Sequence, residues 1–179
     1  AALLDGTAAA QLVRLPVEPG QALFIPGGLV HAIGAGCLIY EVQQNSNTTY
    51  RLFDWGRTGT DGKPRQLHTE ESFKTIDWSL PAPQMTTPAP RAAENGNRWA
   101  DVVSCGLFTL RQLDLAAPCR IAVDGTTFHA LFVTAGQATV AAGGESIVLN
   151  AGSSALIPAD AQAYTLSPGA ASTLLVTPL

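Results

Sequence analysis

Glycine and proline divide this chain into short apolar runs, and these frequent interruptions limit the folds that the chain can adopt. The 179 residues include 17 glycines and 12 prolines. Short apolar runs bounded by turn residues are typical of β-strands, whereas helices need longer runs with a period near 3.6. Strands repeated at roughly 8–12-residue spacing indicate a sandwich or barrel. We therefore predict an all-β fold, with strands at 12–15, 22–25, 37–42, 50–53, 108–113, 120–123, 130–133, 138–141, 146–149, 154–157, 163–166 and 172–176.

One segment, residues 69–78, instead predicts a short helix. Thr69 can act as its N-cap, and Glu70 and Glu71 favour the positive end of the helix dipole.

A proline-rich stretch then divides the chain into three parts. Four of the 12 prolines fall within ten residues of the segment 79–98. Such a composition favours extended, partly rigid chain. We therefore predict a first domain over 1–78, a linker over 79–98 and a second domain over 99–179.

An internal repeat relates the two predicted domains. The segment GQALFIP at 20–26 recurs as GSSALIP at 152–158, and the residue five positions after the proline is His31 in one copy and Ala163 in the other. A strand that enters from a glycine turn and ends at a proline is a repeated barrel element. Because the second copy has a methyl group where the first has an imidazole, we predict that any chemistry belongs to the first copy.

Charge and apolar content exclude two classes of partner. Ten basic residues against 14 acidic ones give a net charge of −4, which makes nucleic acid a poor partner. No apolar run approaches the roughly 18 residues of a membrane span. The three cysteines, Cys37, Cys105 and Cys119, lack metal-site spacing. We predict that they are small buried residues of a protein in the reducing cytoplasm.

Three residues of the first domain could carry chemistry. His31 follows a glycine-rich loop, where a neutral imidazole can bind zinc or iron, or can simply be a hydrogen-bonded structural residue. Glu41 lies in an apolar strand, where a buried carboxylate must be paired or ligating, although an exposed edge position fits equally. Arg51 offers a permanent forked charge suited to an enediolate or phosphate. Its alternative is an ion pair with Asp54 or Glu41.

Other polar positions predict loops rather than sites. Residues 43–49 are uncharged and polar, which suits sugar recognition or a hydrophilic loop. His129 has no companion histidine two residues away, so we predict that it is not a metal ligand. Four further residues of the first domain are expected to be solvated: Lys63, Arg65, His68 and Lys74.

Four motifs follow one another in the first domain. They are PG-x4-IP-x4-HA at 19–32, EVQQNS at 41–46, TYR at 49–51 and GKPRQLH at 62–68. In this order they resemble the type I mannose-6-phosphate isomerases in their short bacterial form. The resemblance covers residues 12–78 by motif, and residues 99–179 only by position and pattern.

The resemblance implies a zinc-dependent cupin with two small jelly-roll barrels, one of which holds the metal. It implies that His31 is the last zinc ligand, that Glu41 belongs to the active-site wall and that Arg51 is catalytic. The implied reaction interconverts mannose 6-phosphate and fructose 6-phosphate through an enediol. Zinc would orient and polarise the sugar oxygens, and Arg51 would stabilise the developing negative charge. The expected substrate is therefore a phosphorylated hexose.

The sequence departs from the family upstream of the first motif. The family's other zinc ligands, a Gln-x-His pair and a Glu, precede that motif, but residues 1–18 contain no histidine. Catalytic zinc sites take three protein ligands, so we expect the others upstream of Ala1, in a longer isomerase of which this chain is a C-terminal fragment. The fold expected is a partial metal-site barrel, one short helix and a complete metal-free barrel. Unpaired strands in the partial barrel would favour self-association.

Two other functions stay open at this stage. A non-catalytic sugar-binding or regulatory cupin module fits the missing ligands and Ala163. A different cupin metalloenzyme, such as an iron dioxygenase, needs a His-x-His pair and gives the polar run no role. We rank the isomerase first because His31, Glu41 and Arg51 occur together, each within its motif.

Overall fold

The computed structural model describes residues 7–46 and 48–178, which form two compact units. The first unit contains the described residues up to Pro19 together with Leu23–Met85, and the second contains Gly20–Ala22 and the described residues from Thr86 onward. Among the described residues, the α-helix lies in the first unit and all ten β-strands lie in the second.

The second unit consists of two antiparallel sheets. One has the strand order β1-β2-β3-β10-β5-β8 and the other β4-β9-β6-β7. The strand bounds are β1 Arg91–Ala92, β2 Arg98–Ser104, β3 Thr109–Leu115, β4 Cys119–Ala122, β5 His129–Ala135, β6 Gln137–Ala142, β7 Glu145–Asn150, β8 Ser154–Ile157, β9 Ala163–Pro168 and β10 Ser172–Pro178.

Eight of these strands are nested in pairs. β6 pairs with β7, β5 with β8, β4 with β9, and β3 with β10, each pair antiparallel. A long hairpin folded over itself in this way is a jelly roll, the architecture of cupins. The predicted all-β, jelly-roll fold class is thereby confirmed.

Alternating side chains fill the space between the two sheets. Successive residues of a strand point to opposite faces, so each strand contributes every second residue to the core. Leu131 and Val133 of β5, Leu166 of β9 and Leu174 of β10 are all completely buried. All eight strands predicted from 108 to 176 are present, shifted by at most a few residues at their ends.

Strand β2 was not predicted, and the start of its sequence was assigned to the linker. Its apolar residues do not alternate cleanly, because Trp99 packs against the core while its neighbour Ala100 is buried. A register shift follows between Asp101 and Val103. Irregularities of this kind remove the period-2 signal on which a strand prediction depends.

The four strands predicted at 12–15, 22–25, 37–42 and 50–53 are absent. Only Ala22 takes part in a strand-like bridge, with Thr86, and it belongs to the second unit. A strand exists only where a neighbouring segment exchanges main-chain hydrogen bonds with it, and these segments form no ladder with any described residue. Several of their apolar side chains are consequently exposed, including Val13, Leu38 and Ile39.

Helix α1 spans Thr69–Thr75, three residues shorter than predicted. Glu70 and Glu71 occupy its first turn as expected, but Thr69 is its first residue rather than its cap. The helix ends before an Asx turn, in which Asp77 Oδ1 accepts hydrogen bonds from the backbone and hydroxyl of Ser79, at 2.9 and 2.6 Å. Such side-chain bonds compete with helical ones. None of the helices in the described part of the chain has the length and apolarity needed to span a bilayer.

The cysteine prediction was partly wrong. Cys37 is exposed, and Cys105 and Cys119 are half-buried; all three are free thiols. Burial raises the pKa of the Cys119 thiol, with a smaller contribution from the charge of Glu94. This thiol therefore stays protonated and packs as a small apolar group against the core.

A polar pair is enclosed among these apolar side chains. His129 is 7% exposed, and its Nδ1 lies 3.2 Å from the hydroxyl of Tyr164, which is 1% exposed. Burial lowers the pKa of His129, against a smaller opposing effect of Asp124, and burial also raises the pKa of Tyr164. Both side chains are therefore neutral at pH 7.

This pair should make the second unit less stable in mild acid. The unfolded imidazole, with a pKa of 6.5, takes up a proton more readily than the folded one, so the free energy of unfolding falls as the pH drops through and below this value. Urea titrations at pH 7.5 and 5.5 should show a lower midpoint at pH 5.5. His129→Gln should reduce this difference, whereas His31→Gln, at an exposed position, should not. An equal pH dependence in His129→Gln and the wild type would contradict this explanation.

Candidate functional site

His31 has one ring nitrogen engaged and the other available. Its Nδ1 lies 2.9 Å from the carbonyl oxygen of Leu29, and the side chain is exposed. Because a carbonyl only accepts hydrogen bonds, Nδ1 must carry the proton, which leaves the Nε2 lone pair free. Metal-binding histidines commonly have this arrangement, with the second nitrogen fixed by a backbone carbonyl.

The repeat that precedes His31 begins, in both copies, with a glycine that lies in a turn. Gly20 and Gly152 both have φ of 85°, a conformation that favours glycine, and both lie in turns. In the second copy, Ala163 begins β9 on the face opposite to the buried Tyr164. The two turns therefore correspond to each other, but the orientation of Ala163 does not predict the orientation of the His31 side chain.

Arg51 is held by a backbone clamp and by two groups beside its guanidinium. Its main-chain N–H donates to His68 Nδ1 at 3.1 Å, and the His68 N–H donates to the Arg51 carbonyl at 2.8 Å. Its Nη1 donates to the Gln66 carbonyl at 3.0 Å, and its Nε lies 3.8 Å from Asp54 Oδ1. Of the alternatives left open by the sequence, the ion pair with Asp54 is present.

The carboxylate beside Arg51 is itself fixed by a second arginine. Asp54 is 7% exposed and accepts two hydrogen bonds from Arg65, one from Nε at 2.7 Å and one from Nη2. These bonds lower the pKa of Asp54 despite its desolvation, and the charges of Arg65, Arg51 and Arg57 act in the same direction. Asp54 is therefore a carboxylate at neutral pH.

The contacts that Arg65 and His68 make were not predicted from the sequence. Arg65 is exposed, as predicted, yet it pairs with a buried acid, and His68 is half-buried rather than solvated. A turn in which the Gly62 N–H donates to the Gly59 carbonyl at 3.0 Å returns the chain, so that Asp54 and Arg65 meet. The Asp-Gly dipeptide at 61–62 is a turn signal that could have indicated this return.

Glu41 is exposed and forms no hydrogen bond or ion pair with any described residue. No such contact joins any two of His31, Glu41 and Arg51. The polar run at 43–49 is exposed wherever it is described, and Asn47 lies outside the described residues.

The described residues do not by themselves form a metal site. Within 7–46 and 48–178, no cluster of three or more histidine, cysteine, aspartate or glutamate side chains could hold an ion. His31 thus offers one imidazole ligand of a type suited to zinc, and the rest of a coordination sphere is not found among these residues.

Comparisons with known proteins point consistently to one family. Residues 100–178 match the family model described as mannose-6-phosphate isomerase, cupin domain. A mannose-6-phosphate isomerase of Streptococcus mutans is 32% identical over 147 residues, which cover 82% of this chain and 45% of that protein. The isomerase ManA of Bacillus subtilis is 50% identical over 66 residues, covering 37% of this chain and 21% of that protein.

The fold also has a counterpart among solved structures. A crystal structure of mannose 6-phosphate isomerase from Bacillus subtilis superposes with a TM-score of 0.62 at 22% identity, over 75% of this chain and 41% of that one. The chain therefore spans less than half the length of each of these three isomerases.

Proposed function

On the premise that this chain resembles the C-terminal portion of type I mannose-6-phosphate isomerases, we propose that it takes part in interconverting mannose 6-phosphate and fructose 6-phosphate. The observation that carries the proposal is the state of Arg51, which is held through Nη1 by the Gln66 carbonyl and through Nε by the charge of Asp54, and has no described hydrogen-bond partner for its Nη2 group. A half-buried cation held in this way can act on a ligand without first having to be ordered.

The isomerisation moves one proton between neighbouring carbons. The C2–H bond of the aldose breaks, the proton passes to a base, and the electron pair forms an enediolate between C1 and C2. Protonation at C1, with transfer of the hydroxyl proton from O2 to O1, gives the ketose. The negative charge of the enediolate lies on oxygen, where the unpartnered N–H groups of Arg51 can donate to it.

Glu41 is the carboxylate to which we assign a role in moving the proton. Its exposure and its lack of described partners leave both oxygens accessible to a substrate. A carboxylate that accepts a proton from one carbon can return it to the next, as general acid–base catalysis requires. Glu41→Gln keeps the shape and removes this capacity.

We further propose that His31 contributes one ligand, through Nε2, to the zinc ion that the resemblance implies. The free Nε2 supports this assignment, although no cluster of three or more ligating side chains is present among the described residues. His31→Ala should therefore lower the molar ratio of bound metal to protein, measured by mass spectrometry on the natural polypeptide that carries this sequence. His129→Ala should leave that ratio unchanged, because its imidazole is buried against Tyr164. Unchanged metal content in His31→Ala would remove His31 from the ligand set.

A non-catalytic sugar-binding or regulatory module is the second candidate. The observation that favours it is the absence of a complete metal cluster among the described residues. The intact mass of the natural polypeptide in its source cells separates the two. A mass near twice that of this chain supports the isomerase, and a mass equal to it favours the binding module.

Two further parts of the proposal concern the cellular location of the protein and its self-association. The three free thiols support a cytoplasmic location, because such groups persist in reducing compartments. The exposed apolar side chains of the first unit, such as Val13 and Leu38, support self-association of the chain. A strictly monomeric species in sedimentation experiments would remove that second part.

A further inference from the structure

We propose that His68 and Asp54 are positioning residues for Arg51, His68 through the main chain and Asp54 through the guanidinium. The inference rests on the proposed function, because it concerns the residue to which that function assigns the stabilisation of charge. The sequence suggested Asp54 only as an ion-pair partner of Arg51 and predicted His68 to be solvated.

His68 fixes the backbone of residue 51. It accepts the Arg51 N–H at Nδ1, 3.1 Å away, and donates its own N–H to the Arg51 carbonyl at 2.8 Å. Both main-chain groups of Arg51 are thus satisfied by one residue 17 positions later. Because Nδ1 is the acceptor in the first bond, the neutral ring carries its proton on Nε2. The imidazole replaces the main-chain partner that a neighbouring strand would have supplied.

Asp54 and Gln66 fix the orientation of the guanidinium. A guanidinium has five N–H donors in a rigid plane. One Nη1 donor is used by the Gln66 carbonyl, and the Nε edge faces Asp54 Oδ1 at 3.8 Å, a distance for charge attraction rather than a hydrogen bond. The Nη2 donors have no described hydrogen-bond partner, and one of them shares the edge of Nε that faces Asp54. Arg65 keeps Asp54 in place, since it bonds both carboxylate oxygens.

The groups of Arg51 that hold it in place thus differ from the donors that are proposed to act on the substrate. An arginine that is free to change rotamer would have to be ordered anew with each substrate, and a displacement of about 1 Å can cost about 100-fold in rate. Loss of either anchor should therefore lower kcat more than it raises KM, because the interaction at stake is made in the transition state.

The test for His68 compares His68→Ala with His68→Asn in the natural polypeptide. The Asn side-chain oxygen can take the place of Nδ1, so we expect kcat to fall about 100-fold in His68→Ala and to recover most of this loss in His68→Asn. Hydrogen exchange of the Arg51 amide should accelerate in His68→Ala and stay slow in His68→Asn. Unchanged kcat and exchange in His68→Ala would overturn the inference, as would equal losses in both variants.

The test for Asp54 uses an isosteric change with a matched control. Asp54→Asn should lower kcat at least tenfold, with metal content retained. Asp101→Asn removes the same charge from an exposed Asp–Arg pair, with Arg111, in the second unit and should leave kcat unchanged. An effect no larger in Asp54→Asn than in Asp101→Asn would overturn the role of Asp54.

Failure of the proposed function has a different signature. Wild-type protein without isomerase activity, or an Arg51→Ala variant with normal turnover, contradicts the function itself. Loss of activity in Arg51→Ala with normal activity in His68→Ala contradicts only the positioning role. The amide-exchange comparison reports on the clamp whether or not the protein turns over substrate.

Discussion

Replacing Arg51 with alanine should lower kcat for the interconversion of the two sugar phosphates by about 100- to 1,000-fold, the cost of removing one preorganised donor from a developing oxyanion. Metal content should stay intact, because Arg51 is not a metal ligand. The measurement is steady-state turnover of mannose 6-phosphate by the natural polypeptide, alongside its metal-to-protein ratio.

The matched control for this variant is Arg111→Ala. Arg111 also pairs with an aspartate, Asp101, but both side chains are more than half exposed and lie in the second unit. Such exposed pairs contribute little, so its turnover should match the wild type. Arg51→Lys should recover only part of the activity, since an ammonium lacks the planar fork. Near-normal turnover in Arg51→Ala would remove this residue from the mechanism.

The second large effect is expected on stability, in Leu131→Ala. Leu131 of β5 is completely buried between the two sheets, so its truncation loses apolar burial and leaves a cavity. Changes of this kind reduce the free energy of unfolding by about 2–5 kcal/mol. This is a large fraction of the roughly 5–15 kcal/mol typical of a domain, and urea titration measures it directly.

Leu156→Ala provides the comparison for that result. Leu156 lies on β8, the ladder neighbour of β5, but it is 62% exposed. Its truncation should change the free energy of unfolding by no more than about 0.5 kcal/mol. A similar loss in both variants would show that the second unit is not packed around Leu131 as described.

The strands of the second unit could be predicted because each has a recognisable pattern within its own sequence. In β9, Tyr164 and Leu166 alternate with small or polar neighbours, whereas residues 130–133 of β5 form a short unbroken apolar run, and both patterns predict a strand. The strand predicted at 154–157 has the observed bounds of β8. Turn residues between such runs fixed their ends closely enough to indicate a sandwich or barrel, and the resemblance to the isomerase family implied that it is a jelly roll.

The first unit was harder to predict because its contacts are not local. Apolar runs at 12–15 and 37–42 have strand-like composition, but composition does not show whether a partner is available to form a ladder. The pairing of Asp54 with Arg65 depends on a return of the chain through the turn at 59–62. His68 was predicted to be solvated, and only the fold shows that its ring accepts a hydrogen bond from the Arg51 backbone.

The nested strand pairs have a consequence for how the second unit folds. β6 and β7 are joined by Gly143 and Gly144, both with positive φ, so this hairpin can form first at little cost in loop entropy. Each outer pair joins segments further apart in sequence, and folding slows as such long-range contacts accumulate. β10 lies between β3 and β5, so the six-stranded sheet is interrupted at its centre until residues 172–178 are in place. During synthesis, this unit can therefore close only after its last strand has left the ribosome.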